Sequence, residues 1–250
     1  MDPLSSTAAA GMRSRLEALD ILANNLSNAS TNGFKGDREA YSLYLGPESG
    51  EGSYISAGYA QTTAPNIEAH RTDFTQGQLV PTEVSTDLAL SGQGFFLVDA
   101  GTGPLLTRNG KFQVTKEGKL TTQEGYEFET VEQPRIRAVA DAPIEVSADG
   151  SVRQNGITLG RLKLLSPAAS IQPHKHSGAY FSLDTTSLSL AKPSTATIHQ
   201  GNVEAANITP ASSAVQLVSV LRQFETLQRA TQIGSDLNKR AIEEVAKVNP

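Results

Sequence analysis

Residues with catalytic or metal-binding chemistry are sparse and scattered in this sequence. The histidine pair His174-x-His176 follows Pro173 and has no third ligand at a spacing typical of a zinc site. Gly92 and Gly94 resemble part of a phosphate-binding loop, but a third spaced glycine and a following helix are missing. The pattern therefore predicts a strand entry at the two glycines, and neither a metal nor a cofactor.

The acidic and nucleophilic residues give no stronger indication of an enzyme. Asp141, Glu145 and Asp149 are spread over predicted strands and turns, without the paired carboxylates of a glycosidase. The sequence has no Gly-x-Ser-x-Gly elbow, although a serine–histidine–acid triad built from distant positions stays open. There is no cysteine, which excludes disulfides and thiolate metal sites. We therefore expect a protein that is not an enzyme.

Charge and composition narrow the possible partners. The 21 lysines and arginines face 26 acidic residues, for a net charge of −5, and no dense basic cluster is present. Nucleic acid binding is not expected, because phosphate recognition needs a concentrated positive face. No apolar run approaches the roughly 20 residues of a membrane span, so direct membrane insertion is not expected either.

The N-terminal segment has the spacing of one long helix. No glycine or proline interrupts the chain between Met12 and Asn32, and Gly33 can end the helix in a left-handed conformation. Ile21 points away from the main stripe, either as a surface residue or as part of a second contact face. The stripe itself recurs at alternating intervals of four and three: Met12, Leu16, Leu19, Ala23, Leu26 and Ser30.

The C-terminal segment repeats this rhythm. A helix is predicted to begin at Thr209-Pro210, a capping residue followed by proline. Its stripe starts with Leu217, Leu221, Phe224, Gln228 and Thr231 and continues on a shifted face with Ile233, Leu237, Ala241 and Val245. The two ends are strong candidates for each other, which predicts a coiled-coil-like layer. A helix that needs cover on several sides favours a polymer.

Between the two helices the signals are those of β-structure. Phe95–Val98 reads as a buried strand, and Asn109-Gly110 predicts a tight hairpin between 105–108 and 111–114. Further turns are predicted at Glu117-Gly118, Asp149-Gly150 and Asn155-Gly156, and a half-buried strand at 159–165. The fold class is therefore mixed α+β with a mainly antiparallel β middle domain. The expected division is an N-terminal helix (1–35), a linker or extended flap (36–73), a β-rich domain (74–200) and a C-terminal helix (201–250).

Four blocks resemble the signature of the bacterial flagellar rod and hook proteins. They are residues 22–35 (LANNLSNASTNGFK), 92–98 (GQGFFLV), 107–112 (TRNGKF) and the Gly201-Asn202-Val203 segment with the helix after it. The residues that carry the resemblance are Thr31, Asn32, Gly33, Phe34, Lys35, Gly94, Phe95, Phe96, Thr107, Arg108, Gly110, Phe112, Asn202 and Val203. Phe34 is expected to pack back onto the helix, and Lys35 to complement the dipole at its C-terminal end.

This resemblance implies a structural subunit of the flagellar basal-body rod, the axial shaft that transmits torque. It implies that the terminal helices pair in the inner tube of the assembly and that the β domain lies outside. The expected partners are other rod and axial proteins or copies of the chain itself, and the flagellar type III export apparatus. The expected location is the periplasmic part of the basal body, reached without a cleaved signal peptide. Within the family, the length argues against the hook protein, and the Met1–Leu4, Gly160–Leu164 and Arg222–Glu225 stretches resemble the proximal rod subfamily most, with the distal rod next.

The expected assembly interface combines the two stripes with the asparagines of the first block. Asparagine side chains can fix the register of packed helices where leucines alone would slide. The expected interface residues are Met12, Leu16, Leu19, Ala23, Asn24, Asn25, Leu26, Asn28, Leu217, Leu221, Phe224 and Leu237.

The sequence leaves two other classes of function open. One is a secreted β-rich enzyme or glycan-binding module with a helical stalk, which would need a convergent polar cleft in the middle domain. The other is a soluble coiled-coil adaptor in the cytoplasm.

Overall fold

A computed structural model of the chain describes residues 3–43, 65–132, 135–139, 142–168 and 171–247. Asp141 and residues 44–64 of the expected linker lie outside these ranges. The chain divides into two compact units. The helical unit comprises the described residues of 1–27, 37–71 and 210–250, and the β unit comprises those of 28–36 and 72–209.

The elements follow in chain order. They are α1 (Pro3–Asn28), β1 (Asp37–Leu43), β2 (Pro65–Thr72), β3 (Leu79–Pro81), β4 (Asp87–Ser91), β5 (Phe95–Asp99), β6 (Pro104–Thr107), β7 (Gly110–Lys111), β8 (Gln113–Val114), β9 (Leu120–Thr121), β10 (Glu127–Phe128), β11 (Ile144–Val146), β12 (Ser151–Gln154), β13 (Ile157–Arg161), β14 (Leu164–Ser166), β15 (His174–Ser177), β16 (Tyr180–Ser182), α2 (Thr185–Leu190), β17 (Lys192–Pro193), β18 (Thr197–Gln200), β19 (Asn202–Glu204) and α3 (Pro210–Lys247).

In the helical unit, α1 and α3 pack against each other through a small apolar cluster. Ala18, Leu22 and Val220 are buried in it, and Leu19 and Leu217 are half-buried at its margin. The strands β1 and β2 form a separate two-stranded sheet. Both predicted helices are therefore present, and α3 begins at the predicted proline. None of the described helices is long and apolar enough to cross a membrane.

The first helix ends at Asn28, four residues before the predicted end at Asn32. The N–H of Thr31 donates to the carbonyl of Asn28 at 2.9 Å, which closes a turn instead of a further helical turn. Gly33 has the expected left-handed conformation, with φ of +70°. The N–H of Gly33 donates to the carbonyl of Glu204 in the β unit, so it is not available to cap a longer helix.

The β unit is built from antiparallel pairs, as predicted. Its largest sheet runs β15-β16-β6-β5-β10-β9-β8, with β14 paired to both β5 and β17. Smaller sheets have the orders β11-β12-β13, β18-β4-β7 and β19-β3. The β19-β3 pair holds the Asn202-Val203 segment against residues 79–81.

Strand β5 explains the continuous apolar run at 95–98. Successive side chains of a strand point to opposite faces of the sheet. Phe96 and Val98 belong to the main core cluster, whereas Phe95 and Leu97 belong to a second one on the other side. A strand covered on both faces has no polar alternation.

The predicted hairpin at Asn109-Gly110 is wrong. Strand β6 pairs with β5 on one edge and with β16 on the other, so no edge is left for β7. Strand β7 pairs instead with β4, where Gly110 lies opposite Leu88. Asn109-Gly110 therefore carries the chain from one sheet to another.

The other turn predictions are confirmed. Gly118 and Gly150 have positive φ angles, and Asn155-Gly156 joins β12 to β13.

The single strand predicted at 159–165 is wrong, because it is split between β13 and β14. The chain changes partner at Leu162, since β13 pairs with β12 and β14 pairs with β5.

Candidate assembly site and its buried ion cluster

The sequence motifs of the β unit meet around one buried carboxylate, that of Glu204. Glu204 ends β19, directly after Asn202 and Val203, and its side chain is fully buried. Lys35 is also fully buried, and its Nζ lies 2.5 Å from Oε1 of Glu204. The same Nζ donates a second hydrogen bond to the carbonyl of Thr75 at 2.7 Å. Two acceptors from distant parts of the chain therefore hold the ammonium group of Lys35.

Arg108 approaches the other oxygen of the same carboxylate. Its Nη1 lies 3.2 Å from Oε2 of Glu204, and its Nη2 donates to the carbonyl of Gly92 at 2.8 Å. The guanidinium group lies 5.2 Å from the centroid of the Phe95 ring, within cation–π distance. The N–H of Gly77 completes the set with a 2.9 Å bond to Oε1 of Glu204. The carboxylate thus joins three segments of the β unit.

The electrostatic balance of this cluster is set by burial. Burial lowers the pKa of Lys35 from its ordinary value, and the charge of Glu204 opposes that shift. The pKa of Arg108 is lowered for the same reason, again opposed by Glu204. Two buried cations therefore depend on one carboxylate. Removal of that carboxylate would leave both without charge compensation.

The backbone around Gly33 is packed directly against the arginine segment. The N–H of Gly33 donates to the carbonyl of Glu204 at 2.7 Å. A Cβ added at Gly33 would lie 2.4 Å from the nitrogen of Asn109 and 2.5 Å from the carbonyl carbon of Arg108. Glycine is needed at position 33 for its positive φ and because the backbone there touches the backbone of Arg108 and Asn109.

Phe34 and Lys35 are also held by Lys175. Phe34 is fully buried, and the Nζ of Lys175 lies 4.2 Å from the centroid of its ring. The same Nζ donates to the carbonyl of Lys35 at 3.0 Å. Lys35 itself serves the ion cluster, so its expected role as a partner of the helix dipole is wrong.

Asn207 closes the other side of this segment. Its Oδ1 accepts a 2.8 Å hydrogen bond from the N–H of Gly36. Its Nδ2 donates to the carbonyl of Asp73 at 2.7 Å, with longer contacts to the carbonyl and hydroxyl oxygens of Thr75. One amide side chain therefore ties residues 36, 73 and 75 together.

The remaining motif residues are structural parts of the same unit. Thr107 donates from its hydroxyl to the carbonyl of Ala179 at 2.9 Å. Phe96 and Phe112 are buried in the main core, and Val203 is buried in β19. Gly94 has φ of +155°, and a Cβ there would lie 2.1 Å from Oγ of Ser194.

The sequence prediction missed Glu204, Thr75, Lys175 and Asn207. One signal could have identified Glu204. Lys35 and Arg108 occur in motifs rich in apolar and small residues, and buried cations require a buried acid. Glu204 directly follows the Asn202-Val203 block.

In α1, the buried face differs from the predicted stripe. Among residues 8–28 of this helix, whose side chains are described, the buried ones are Ser14, Ala18, Ile21, Leu22 and Asn25. Of the predicted stripe, Leu16 is 50% exposed and Ala23 is exposed, while Met12, Leu19 and Leu26 are half-buried. Ile21 is therefore not a surface residue. The predicted stripe lies beside the face that is used within the unit.

In α3, the inward residues recur at alternating intervals of four and three. Ser213 and Val220 are buried, and Leu217, Phe224, Leu227 and Thr231 are half-buried. Leu221 and Leu237 of the predicted interface are 41% and 60% exposed. Other large apolar residues are exposed as well, namely Val215, Val218, Ile233 and Ile242.

The asparagines of the first block differ in their surroundings. Asn25 is buried and makes two hydrogen bonds to the backbone of Asp37, at 2.8 and 3.0 Å. Asn28 accepts a 3.4 Å hydrogen bond from the hydroxyl of Thr31. Asn24 is exposed. Asn25 therefore fixes a contact within the helical unit.

The candidate catalytic, metal-binding and phosphate-binding residues do not converge on one site. His174 and His176 are exposed on β15, and no group of three or more histidine or acidic side chains that could hold a metal occurs among the described residues. The N–H of Gly92 donates to Oε1 of Gln76 at 3.0 Å, and Gly92 and Gly94 lie directly before β5, at the predicted strand entry. Glu145 is exposed on β11, and Asp149 binds Ser151 in a turn.

Comparison with known proteins gives matches at both the N-terminal block and the β unit. Residues 6–35 match the family described as Flagella basal body rod protein, and residues 89–154 match the Flagellar hook protein FlgE/F/G D1 domain. The chain is 31% identical to the flagellar basal-body rod protein FlgF of Caulobacter vibrioides, over 92% of this chain and 93% of that protein. It is 28% identical to FlgG of Buchnera aphidicola, over 83% of this chain and 86% of that protein. It is 33% identical to the hook protein FlgE of Rhizobium meliloti, over 73% of this chain and 43% of that protein.

The chain has two long helices with exposed apolar residues. Its β unit is held together by motifs from distant parts of the chain. These features are typical of a structural assembly subunit. The identity to FlgF covers nearly the whole of both chains. The chain belongs to the flagellar basal-body rod protein family.

Proposed function

We propose that this chain is a structural subunit of the flagellar basal-body rod, of the proximal type, which assembles through α1 and α3. The observation that carries the proposal is the exposed apolar surface of both helices. Leu16 on α1 is 50% exposed and Leu221 on α3 is 41% exposed, although the same helices already bury an apolar cluster within the unit. Such faces favour further helix packing. The identity to FlgF supports the proximal type.

The helices would form a coiled-coil-like layer. The alternating spacing of the inward residues of α3 is typical of such packing. The Leu227 side chain also lies 3.6 Å from an ideal Cβ at Gly11, which extends the pairing along α1. We assign the predicted interface residues to contacts between subunits where they are exposed, and to the helix pair where they are half-buried.

Family membership supports the proposed partners and location. The subunit would contact other rod and axial proteins or copies of itself, and would transmit torque as part of the shaft. It would act without enzymatic activity or a cofactor. It would reach the periplasmic part of the basal body through the flagellar type III export apparatus.

The test places a charge on the exposed helix faces in cells. Leu16→Asp and Leu221→Asp should abolish motility and remove the chain from purified basal bodies, while the secreted or purified variants keep a folded β unit. Ile157→Asp is the matched control, because Ile157 is a comparably exposed apolar residue on the β unit, at 66%. This control should swim normally. Normal rods from both helix variants would contradict the proposed interface, and absence of the wild-type chain from basal bodies would contradict the function itself.

A further inference from the structure

Three Asn-Gly dipeptides occur in the sequence, and the fold treats one of them differently from the others. They are Asn32-Gly33, Asn109-Gly110 and Asn155-Gly156. Asn-Gly is the dipeptide most prone to spontaneous deamidation, because glycine leaves the following backbone nitrogen unshielded. The reaction needs that nitrogen to be free and able to reach the asparagine side chain.

Two of the dipeptides are held by the structure. The N–H of Gly33 is buried and donates to the carbonyl of Glu204 at 2.7 Å. Gly110 is buried in β7, where an added Cβ would lie 2.2 Å from the carbonyl oxygen of Leu88. The Asn109 side chain accepts a 3.2 Å hydrogen bond from the N–H of Lys111. Neither backbone can rotate without opening the β unit.

Asn155-Gly156 has none of these restraints. Both residues are exposed, with φ angles of +52° and +77°, and they form the two-residue turn between β12 and β13. The turn is closed by the Gln154 and Ile157 pair, so the N–H of Gly156 has no part in the ladder. In the part of the chain that the structure describes, neither this N–H nor the Asn155 side chain has a hydrogen-bond partner. An added Cβ at Gly156 would meet nothing within 4 Å.

We propose that Asn155 is a site of spontaneous modification, selected by the fold over the other two Asn-Gly dipeptides. Hydroxide removes the proton of the Gly156 nitrogen, which then attacks Cγ of Asn155. The N–Cγ bond forms, the Cγ–Nδ2 bond breaks, and ammonia leaves, so that a five-membered succinimide remains. Water opens this ring at either carbonyl and gives aspartate or isoaspartate at position 155, with no oxidation or reduction.

The modification changes the hairpin in two ways. Either product adds a negative charge at the turn. Isoaspartate also adds one carbon to the main chain of a turn that has only two residues, which disturbs the register of β12 with β13. The side chain of the adjacent Gln154 makes three hydrogen bonds that hold residues 139 and 142. The modification therefore loosens the edge of the three-stranded sheet.

The test is peptide mapping of the purified full-length chain after incubation at mildly alkaline pH. In the folded chain, the mass increase of amide-to-acid conversion should appear only in the peptide that contains position 155. Isoaspartyl methyltransferase should label that peptide, and its rate of formation should rise in proportion to hydroxide. In urea, all three dipeptides should react, and Asn155 should lose its advantage, because each is an Asn-Gly pair that the fold no longer restrains.

Asn155→Gln provides the control, because its longer side chain cannot form the five-membered ring, and its peptide should stay unlabelled. Gly156→Ala should slow the reaction by shielding the nitrogen. Conversion at Asn32 or Asn109 as fast as at Asn155 in the folded chain would overturn the proposal. So would the absence of conversion at Asn155 while the chain in urea reacts.

Discussion

Glu204 makes four contacts with residues that are distant in the sequence. Its carboxylate binds Lys35, Arg108 and the N–H of Gly77, and its carbonyl binds the N–H of Gly33. A buried ion cluster of this kind is weak evidence for stability, because desolvation offsets much of the attraction. Loss of one member is different, since the others then remain charged in an apolar interior.

Glu204→Gln tests this dependence with little change of shape. We expect the free energy of unfolding of the β unit to fall by about 3–5 kcal/mol, because two buried cations lose their counterion. Urea titration monitored by tyrosine fluorescence or circular dichroism would measure it. Glu117→Gln is the control, because Glu117 pairs with Lys119 on the surface, at 2.8 Å. That variant should unfold at nearly the wild-type urea concentration, and equal effects of the two substitutions would contradict the role of the cluster.

Asp99 gives a prediction for the pH dependence. The hydrogen bond from Arg135 lowers the pKa of Asp99, with a further contribution from the N–H of Gly101. The folded state therefore binds a proton less readily than the unfolded state. The stabilisation is present above the ordinary pKa of aspartate and is lost as the pH falls through the lowered folded-state pKa.

Asp99→Asn should remove this part of the acid dependence. The pair is partly open to solvent, so we expect a loss of less than about 1 kcal/mol at neutral pH and no loss in strong acid. Urea midpoints measured across the acid range would show the two curves converging at low pH. Curves that stay parallel down to strong acid would rule out this contribution of Asp99.

Residue roles were harder to predict from the sequence than residue positions. The position of Lys35 near the C-terminal end of the first helix predicts a role at the helix dipole, whereas its actual partner lies 169 residues away. A side chain chooses among all buried partners of the fold, and local spacing does not contain that information. The left-handed conformation of Gly33 was easier to predict, since a positive φ at the end of a helix is a local requirement, whereas its close approach to Arg108 and Asn109 is not.

At the scale of elements, the uninterrupted periodic segments were predicted well and the short strands were not. Both terminal helices are present because twenty or more residues of consistent spacing outweigh local exceptions. The Asn109-Gly110 hairpin failed because its local signal was sound but both edges of β6 were already paired. The buried face of α1 differs from the apolar stripe because Ala18 and Leu22 pack with Val220, and Asn25 binds the backbone of Asp37.

Gly33→Ala tests how tightly the turn after α1 is fitted to the β unit. The substitution combines a strained φ of +70° with a Cβ that would lie 2.4 Å from the Asn109 nitrogen. We expect the free energy of unfolding to fall by at least about 2 kcal/mol. Gly178→Ala is the matched control, because Gly178 has φ of +51° and open space around it.

The control isolates the conformational part of the effect, which should be about 1 kcal/mol. Thermal unfolding of the two variants and the wild type would separate this strain from the steric contact. Equal losses in both variants would show that the approach of Gly33 to Arg108 and Asn109 has no energetic consequence.

At the scale of the whole molecule, the two units differ in how much apolar surface they bury. The β unit has a large core cluster and a second one around Phe95, Phe181 and Leu106. The described apolar cluster between α1 and α3 has only three buried members, Ala18, Leu22 and Val220. Long helices with so little cover gain little beyond their own backbone hydrogen bonds.

Hydrogen exchange should therefore separate the units in the monomer. Amides of α1 and α3 should exchange much faster than those of β5 and β6, because local opening of the helices exposes little additional apolar surface. On incorporation into rods the helix amides should become protected, while those of β5 and β6 stay unchanged and serve as the internal reference. Helices as protected as β5 in a chain shown to be monomeric would mean that the exposed apolar faces need no neighbour. The exposed apolar faces of α1 and α3 would then give no reason to assign the helices to assembly, even though the chain belongs to the rod family.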